Sequence, residues 1–312
     1  MDMKNVIEKK PVNYSVLEGN CEATFLNGGP YWHLCTPGQF TELLFETDED
    51  YRFIMNTIAI ASAAYKVVII TFEVMSNHLH FILEGEDSEC RRFFDAIKRR
   101  LGRYYHTIGR YVDLSGFTCK VIPIEDLRAM RIEIVYVNRN GYLSNESHTP
   151  FSYPWGSGCL YFSKAQFGHI KYADLTDLQK RRICRGRPAA LPDSFFVIDN
   201  IIDMSSFCAI NKGMAFYRNA HHYFSLLAKN YEAYSEIAKR LGDDVFLSDD
   251  EMFAVLTLLS KKEYGGTRPA MLPVKDKLHL ARRMRSEYNA SEGQIQRMLR
   301  LDRNVIAELF GK

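Results

Sequence analysis

The sequence predicts an α+β fold, in which a small antiparallel sheet carries helices on one face and an all-α C-terminal region follows. Three observations support this prediction. Residues 31–140 alternate between short β-rich runs and amphipathic helical patterns. From Asp199 onward, nearly every segment has helical spacing. The 312 residues are 46% hydrophobic and 13% aromatic, which suffices to bury a core and excludes disorder of the whole chain.

The first half of the chain has the element order β-α-β-β-α-β-α. The predicted strands are 31–36, 67–75, 78–83 and 117–122, and the predicted helices are 48–64, 90–106 and 124–140. The strands are runs of β-branched and aromatic residues, and each helix has an apolar stripe at three- and four-residue spacing. This order is typical of the split βαβ, or ferredoxin-like, arrangement.

The second half is predicted to contain two further units. Residues 165–198 are basic and rich in Gly and Pro, so they are interpreted as a connector. It would join a catalytic domain at 1–164 to a helical C-terminal domain at 199–312. Within the latter, three short helical segments occupy residues 275–311 and resemble a helix-turn-helix that binds DNA. A plain helical cap on the core is the alternative.

The cysteines and the apolar stretches predict a cytoplasmic chain. The seven cysteines are scattered, odd in number and without a C-x-x-C pair, which argues against disulfides and against a cysteine zinc site. Residues 1–11 lack the apolar core of a signal peptide. The most apolar stretch, 53–72, is interrupted by Asn56 and Lys66, so a helix followed by a strand explains it better than a membrane span.

The net charge of +2 conceals strong basic clusters. The first of them lies on the predicted helix at 90–106 and just beyond it. Its members are Arg91, Arg92, Lys98, Arg99, Arg100, Arg103 and Arg110. A second cluster lies at 180–187, and the C-terminus is also basic. Separate basic patches with interleaved aromatics favour nucleic acid as a partner. The alternative is a set of solvated outer helix faces.

His78 and His80 are the strongest local signal for chemistry. They are separated by one residue on a predicted strand, so both imidazoles point to the same face, about 7 Å apart along the strand. Two imidazoles at that separation can bind one divalent cation. Leu79, Phe81 and Leu83 would point to the other face and anchor the strand in the core. The alternative is two histidines on a solvated strand face.

Tyr136 and Asn140 lie four residues apart on the predicted helix at 124–140, which places them on one helical face. Tyr136 is predicted to lie off the buried stripe of that helix. A phenol at this position could act as a nucleophile, and the amide oxygen of Asn140 could be a third metal ligand. The pair alone carries little weight, because the chain has 18 tyrosines. Tyr142 is the alternative nucleophile.

Five blocks in order resemble the single-tyrosine transposases of the HUH endonuclease superfamily, in particular the REP-associated tyrosine transposases. The blocks are 31–38 (YWHLCTPG), 74–83 (VMSNHLHFIL, with the His-hydrophobe-His motif), 93–116, 136–140 (YVNRN) and 153–157 (YPWGS). Four positions depart from the family pattern: Pro37 replaces an arginine, Ser76 and Gly141 replace prolines, and Gly156 replaces a serine. The change at Pro37 removes a phosphate contact that the resemblance implies.

The resemblance implies a metal-dependent single-stranded DNA endonuclease and strand transferase that acts through a 5′-phosphotyrosine. The implied nucleophile is Tyr136, and the implied ligands of an Mg²⁺ or Mn²⁺ ion are His78, His80 and Asn140. The cluster at 91–110 would hold the DNA, which is expected to be single-stranded with a hairpin. A homodimer is an open alternative to a monomer. Two other functions stay open: a non-catalytic DNA-binding regulator and a metal hydrolase of small phosphodiesters.

Overall fold

The structure is a computed structural model that describes residues 14–36, 43–144, 148–163, 170–228, 231–241 and 247–311. It is an α+β protein with a small antiparallel sheet and many helices. The first half contains α1 (Tyr14–Leu26), β1 (Tyr31–Cys35), α2 (Asp48–Ala64), β2 (Val68–Val74), β3 (Leu79–Glu84), α3 (Asp87–Thr107), β4 (Lys120–Pro123) and α4 (Leu127–Ser144). From β1 to α4 these elements follow the order that the sequence predicts, whereas α1 is an additional helix that the sequence analysis did not predict. Pro37 and the predicted connector residues 165–169 lie outside the described residues.

The four strands form one sheet in the order β2-β3-β1-β4, and every neighbouring pair is antiparallel. His80 on β3 lies opposite Cys35 on β1 and opposite Glu73 on β2. Residues directly opposite each other in an antiparallel pair point to the same face. One face of the sheet therefore carries His80 together with Glu73 and the alternate residues of β1, including His33.

Both faces of this sheet are covered by helices. On one face, α2 and α3 pack against an apolar layer that includes Leu34, Phe81 and Leu83. On the opposite face, α4 packs against Cys35 and Ile82. The prediction of helices on one face therefore describes α2 and α3, whereas α4 is on the other side. The reason is that both alternating sets of side chains on the central strands are buried, so each face needs a cover.

Helix α4 differs from its sequence prediction in two ways. Its residues 133–141 are all buried, so the prediction that Tyr136 lies off the buried stripe is wrong. The outer face of α4 is covered by two later helices, α7 (Ala220–Ala228) and α8 (Tyr231–Leu241), which the periodicity of α4 alone could not reveal. The helix also continues through Gly141 to Ser144. A Cβ at Gly141 would lie 2.1 Å from Oε1 of Glu73, so a glycine is needed for this close approach.

The described part of the basic segment carries regular structure. It contains β5 (Ile170–Lys171), α5 (Asp177–Cys184) and β6 (Phe196–Ile198), and β7 (Ile201–Ile202) follows directly. The three strands form a second antiparallel sheet. Buried side chains of this unit, among them Ile183 and Phe195, form a cluster with Ala59 of α2. This burial explains why residues interpreted as a connector are ordered here, and the domain boundaries stay a prediction.

The C-terminal part is helical. Its helices are α6 (Ile210–Ala215), α7 (Ala220–Ala228), α8 (Tyr231–Leu241), α9 (Asp249–Glu263), α10 (Val274–Tyr288), α11 (Glu292–Leu299) and α12 (Arg303–Phe310). Helices α7 and α8 pack on α4, whereas α9 to α12 share a core of their own. A buried ion pair between Arg139 and Glu251 joins α4 to α9. Among the described residues, no helix is both long and apolar enough to cross a bilayer.

Candidate active site

The structure brings three of the predicted site residues together on the α4 side of the sheet. The ring centroids of His78 and His80 are 5.0 Å apart, and the Tyr136 ring lies 5.7 Å from that of His80. His78, His80 and Tyr136 are 4%, 0% and 1% exposed. The alternative of two histidines on a solvated strand face is therefore wrong. Leu79, Phe81 and Leu83 point into the opposite apolar layer, as predicted.

A buried carboxylate–imidazole chain orients His80. Nδ1 of His33 lies 2.7 Å from Oε2 of Glu133, and Nε2 of His33 lies 3.0 Å from Nδ1 of His80. A carboxylate only accepts hydrogen bonds, so His33 donates from Nδ1 and accepts at Nε2 from His80. His80 then carries its proton on Nδ1, and its Nε2 has the lone pair that a metal requires. On the other side of Glu133, Oε1 is paired with Arg240 of α8.

Sequence reasoning missed both His33 and Glu133. His33 belongs to the block at 31–38, and it alternates with Tyr31 and Cys35 on β1, so strand periodicity places it on one sheet face. Glu133 precedes Tyr136 by three residues, which is close to one helical turn. These two signals were present, but the contact joins residues 100 positions apart.

His78 is oriented in a similar way by its neighbour. Nδ1 of His78 lies 2.7 Å from Oδ1 of Asn77, and the amide oxygen is an acceptor, so His78 donates from Nδ1. Its Nε2 is then the nitrogen with the lone pair. Both histidines are thus in the tautomer that would ligate a cation through Nε2.

Asn140 lies one turn after Tyr136 on α4 and is 3% exposed. Its Nδ2 has no hydrogen-bond partner among the described residues. A buried polar atom left without a partner costs about 1–3 kcal/mol. A 180° rotation of the Asn140 side-chain amide exchanges the positions of Oδ1 and Nδ2. After that rotation, Oδ1 could face a cation.

Two imidazoles and one amide oxygen would suit a borderline divalent cation that takes its remaining ligands from water or a phosphate. Among the described residues, no group of three or more His, Cys, Asp and Glu side chains is arranged to hold a metal ion. Both nitrogens of His33 are already used by Glu133 and His80. The ligands would be two imidazoles, the Asn140 amide, and oxygens from water or a phosphate. Mg²⁺ and Mn²⁺ accept such sets, since Mg²⁺ usually keeps several waters and phosphate oxygens.

A second buried carboxyl group lies on the same sheet face. Glu73 is 2% exposed, and its Oε2 has no hydrogen-bond partner among the described residues. Burial raises the pKa of Glu73 well above its usual value, although the backbone N–H of Gly141 donates to it. A Cβ at Gly156 would lie 2.0 Å from Oε2 of Glu73. Two positions that depart from the family pattern, Gly141 and Gly156, therefore make the space for this carboxyl group.

The structure weakens the case for Tyr142 as nucleophile. Tyr142 follows Tyr136 by six residues on α4, so it points to a different side of the helix. It lines a cleft with residues around the start of α9. Burial raises the pKa of its hydroxyl to about 12, which disfavours the reactive phenolate.

The basic cluster of α3 is not brought to the histidines, because α3 packs on the opposite face of the sheet. Five of its members, Arg91, Arg92, Arg99, Arg100 and Arg110, already have protein partners. Arg91 pairs with Asp87 and Arg92 pairs with Glu89, both on α3 itself. Arg110 binds Asp50 and the carbonyl oxygen of Leu44, and Arg100 binds the carbonyl oxygen of Cys184. Lys98, Arg99 and Arg103 complete the cluster, and Arg99 and Arg103 are exposed.

Helix α8 covers the candidate nucleophile. The ring of Tyr234 lies 6.5 Å from that of Tyr136. The guanidinium of Arg139 lies 4.0 Å from the centre of the Tyr234 ring, an attractive cation–π contact. Nζ of Lys120 donates to the carbonyl oxygen of Leu241 at 2.6 Å, and Arg240 binds Glu133. These contacts hold α8 against α4 and β4.

Comparisons with protein-family models and with curated proteins find no match. Among solved structures, a chain described as a REP-associated tyrosine transposase bound to a REP hairpin is similar to this one, at 18% sequence identity and a TM-score of 0.33. The similar part covers 42% of this chain and 77% of that chain. A likeness at this level does not establish the family of this chain.

Proposed function

We propose that this protein is a metal-dependent single-stranded DNA endonuclease and strand transferase of the HUH single-tyrosine type. The observation that carries the proposal is the meeting of His78, His80 and Tyr136 in one buried cluster, with His80 oriented by His33 and Glu133. In this proposal the sheet of β1 to β4 is the ferredoxin-like core of an HUH nuclease. The DNA is a hairpin-forming strand, as the sequence blocks imply.

The proposed reaction assigns one role to each side chain. Nε2 of His78, Nε2 of His80 and the amide oxygen of Asn140 would hold the cation. A divalent cation bound there would withdraw charge from the scissile phosphate. The Tyr136 oxygen attacks phosphorus and gives up its proton to solvent, and the bond from phosphorus to the 3′ oxygen breaks. The 5′ phosphate is then joined to Tyr136, and the 3′ oxygen takes up a proton to become a hydroxyl group.

The covalent intermediate makes strand transfer possible without ATP. The phosphotyrosine retains a phosphodiester bond, so the 3′-hydroxyl of another strand can attack the same phosphorus. That step forms a new DNA phosphodiester and returns Tyr136 to its free form. Because α8 covers Tyr136, this chemistry requires α8 to move away from α4 when DNA enters.

The direct test is the change Tyr136→Phe. This change removes only the nucleophilic oxygen, so we expect the covalent protein–DNA adduct to fall by at least about a thousandfold. The adduct would be measured by denaturing gel after incubation with Mn²⁺ and a labelled hairpin that carries a single-stranded flank. Tyr142→Phe is the matched control and should form the adduct like the unchanged protein. An adduct that survives Tyr136→Phe and disappears in Tyr142→Phe would show that the nucleophile is assigned to the wrong residue.

A non-catalytic DNA-binding regulator is the second candidate, and the burial of Tyr136 beneath α8 favours it. Such a protein would bind the same hairpin but give no adduct under any metal condition. A metal hydrolase of small phosphodiesters would instead cleave bis(p-nitrophenyl) phosphate equally well with and without the Tyr136 hydroxyl. The adduct assay and this hydrolysis assay together separate the three functions.

A further inference from the structure

A cleft with an unusual charge lies far from the histidines, between α3 and the residues that follow α5. Its volume is about 530 Å³. Arg100 and Arg103 of α3 form one wall, and Arg185 and Arg187 form the other. None of the described residues that line the cleft is acidic. The residues after α5 lie outside the blocks that resemble the transposase family.

Arg100 is the fixed positive charge of the cleft. It is partly buried, and its guanidinium donates to the carbonyl oxygen of Cys184 at 2.9 Å and lies 5.9 Å from the centre of the Phe53 ring. Burial lowers the pKa of Arg100, and the nearby charge of Arg103 lowers it further. The described hydrogen-bond partners of Arg100 are neutral groups. A guanidinium held in place with another arginine beside it is stabilised when an anion enters the cleft.

Arg103 and Arg187 are exposed and point to the mouth of the same cleft. Arg185 adopts a left-handed conformation at the end of α5, and its guanidinium pairs with Glu49. Two exposed charges thus lie beside one partly buried charge, an arrangement that can contact successive anions rather than enclose a single small one.

We propose that this cleft binds the backbone phosphates of DNA, as a second contact separate from the buried histidines. Arginine forks match phosphate oxygens in bidentate geometry. The aromatic rings of the cleft do not offer a surface for stacking bases: Phe53 and Tyr104 are buried and stacked on each other at 4.0 Å. A backbone contact that ignores base sequence therefore fits better than a nucleotide pocket.

This inference rests on the proposed function, since it takes DNA as the ligand. The inference adds a DNA-binding location, the cleft between α3 and the residues after α5, that the basic cluster of α3 alone does not predict. Because α3 and α4 pack on opposite faces of the sheet, the cleft and the buried histidines lie on different sides of the sheet. A DNA that contacts both must be long enough to pass around an edge of the sheet.

The test is the double change Arg103→Ala and Arg187→Ala. Both residues are exposed, so the variant is expected to fold like the unchanged protein, which a thermal melt checks. Binding of a labelled DNA hairpin would be measured by fluorescence anisotropy over a series of salt concentrations. We expect the dissociation constant to rise on the order of tenfold, and the slope of log K against log salt to become shallower by about 2.

The matched control is the double change Lys261→Ala and Lys262→Ala on α9, which removes the same charge from exposed positions elsewhere. It should leave the salt slope unchanged. An equal loss in both variants would mean a general charge effect and would overturn the proposal. An unchanged salt slope in the cleft variant would also overturn the proposal. This holds even if that variant loses binding of inorganic pyrophosphate.

The two proposals fail in different ways. If Tyr136-dependent adducts form while the cleft variant keeps its salt slope, only the cleft proposal is wrong. If the unchanged protein binds no DNA at any salt concentration, both proposals are wrong.

Discussion

The two faces of the β1–β4 sheet are built from the same strands but have opposite character. The face towards α2 and α3 is apolar, with Phe72 and Phe81 fully buried in it. The face towards α4 buries His33, Glu73 and His80 at similar depth. Period-two alternation therefore produces a hydrophobic layer and a polar layer from the same short segments.

The two faces of the sheet contribute differently to the stability of the molecule and to its candidate site. Burial of apolar area contributes roughly 25 cal/mol per Å², so the apolar side chains on both faces, such as Phe81 on one and Ile82 on the other, stabilise the fold. A buried polar group has to recover its lost hydration through hydrogen bonds and otherwise costs stability. The α4 face keeps such groups, joined in part by the Glu133–His33–His80 chain.

The largest change in the free energy of unfolding is expected for a substitution on the apolar face. Phe81→Ala empties a position that lies between Phe72 and Phe93, with ring centroids at 5.9 and 5.3 Å. Large-to-small changes of this kind cost about 3–5 kcal/mol of unfolding free energy. Urea unfolding followed by circular dichroism measures the change. Phe151→Ala, at an exposed position, is the control and should cost no more than about 0.5 kcal/mol. Equal losses in the two variants would contradict the assignment of Phe81 to a stabilising layer.

The apolar face could be predicted from the sequence because its signal is local. Alternation around Leu79, Phe81 and Leu83 predicts both the strand and its buried side. The element order from β1 to α4 follows from the same kind of evidence, since each segment shows its own periodicity. None of these predictions needs a contact between distant residues.

Residues of the polar face could be predicted from the sequence only where they form a short local motif. His78 and His80 are adjacent enough to form such a motif, and the four-residue spacing of Tyr136 and Asn140 forms another. Glu133 and His33 act on each other across 100 positions, so no local pattern shows their contact. The arginines of α3 illustrate the same limit, because amphipathicity shows which side of a helix faces water but not which side of the sheet the helix covers.

Glu73 offers the next test, now on the polar face. Burial keeps its carboxyl group protonated in the folded protein, because its pKa is raised well above the usual 4.5. Below about pH 4.5 the group is neutral in both states, so Glu73 and a glutamine in its place should be equally stable there. Above that pH the unfolded chain ionises Glu73 while the folded chain does not, and this stabilises the unfolded state.

We therefore expect Glu73→Gln to raise the free energy of unfolding, by up to about 1.4 kcal/mol for each pH unit between the unfolded and folded pKa values. Chemical unfolding at a series of pH values from 4 to 8 measures this trend. Glu22→Gln, at an exposed position on α1, is the control and should show no such slope. A difference between Glu73→Gln and the unchanged protein that is constant over this range would mean that Glu73 is ionised in the folded state.

The last test is at Glu133, where a functional effect is expected. Glu133→Gln keeps the shape of the side chain but replaces the charged acceptor of the His33 hydrogen bond by a neutral one, so His80 is held less firmly. Changes at such supporting residues typically lower metal affinity or activity by about 10–100-fold. We expect that loss in Mn²⁺ affinity, measured by isothermal titration.

A matched control for Glu133→Gln exists on the same helix. Asp126 is exposed and caps the start of α4 through the N–H of Ala129, a role that asparagine performs equally well. Asp126→Asn should therefore keep the Mn²⁺ affinity of the unchanged protein. If Glu133→Gln also keeps the Mn²⁺ affinity, the His33–Glu133 chain only fills space beneath α4. The polar face would then be no more than a tolerated cluster of buried histidines.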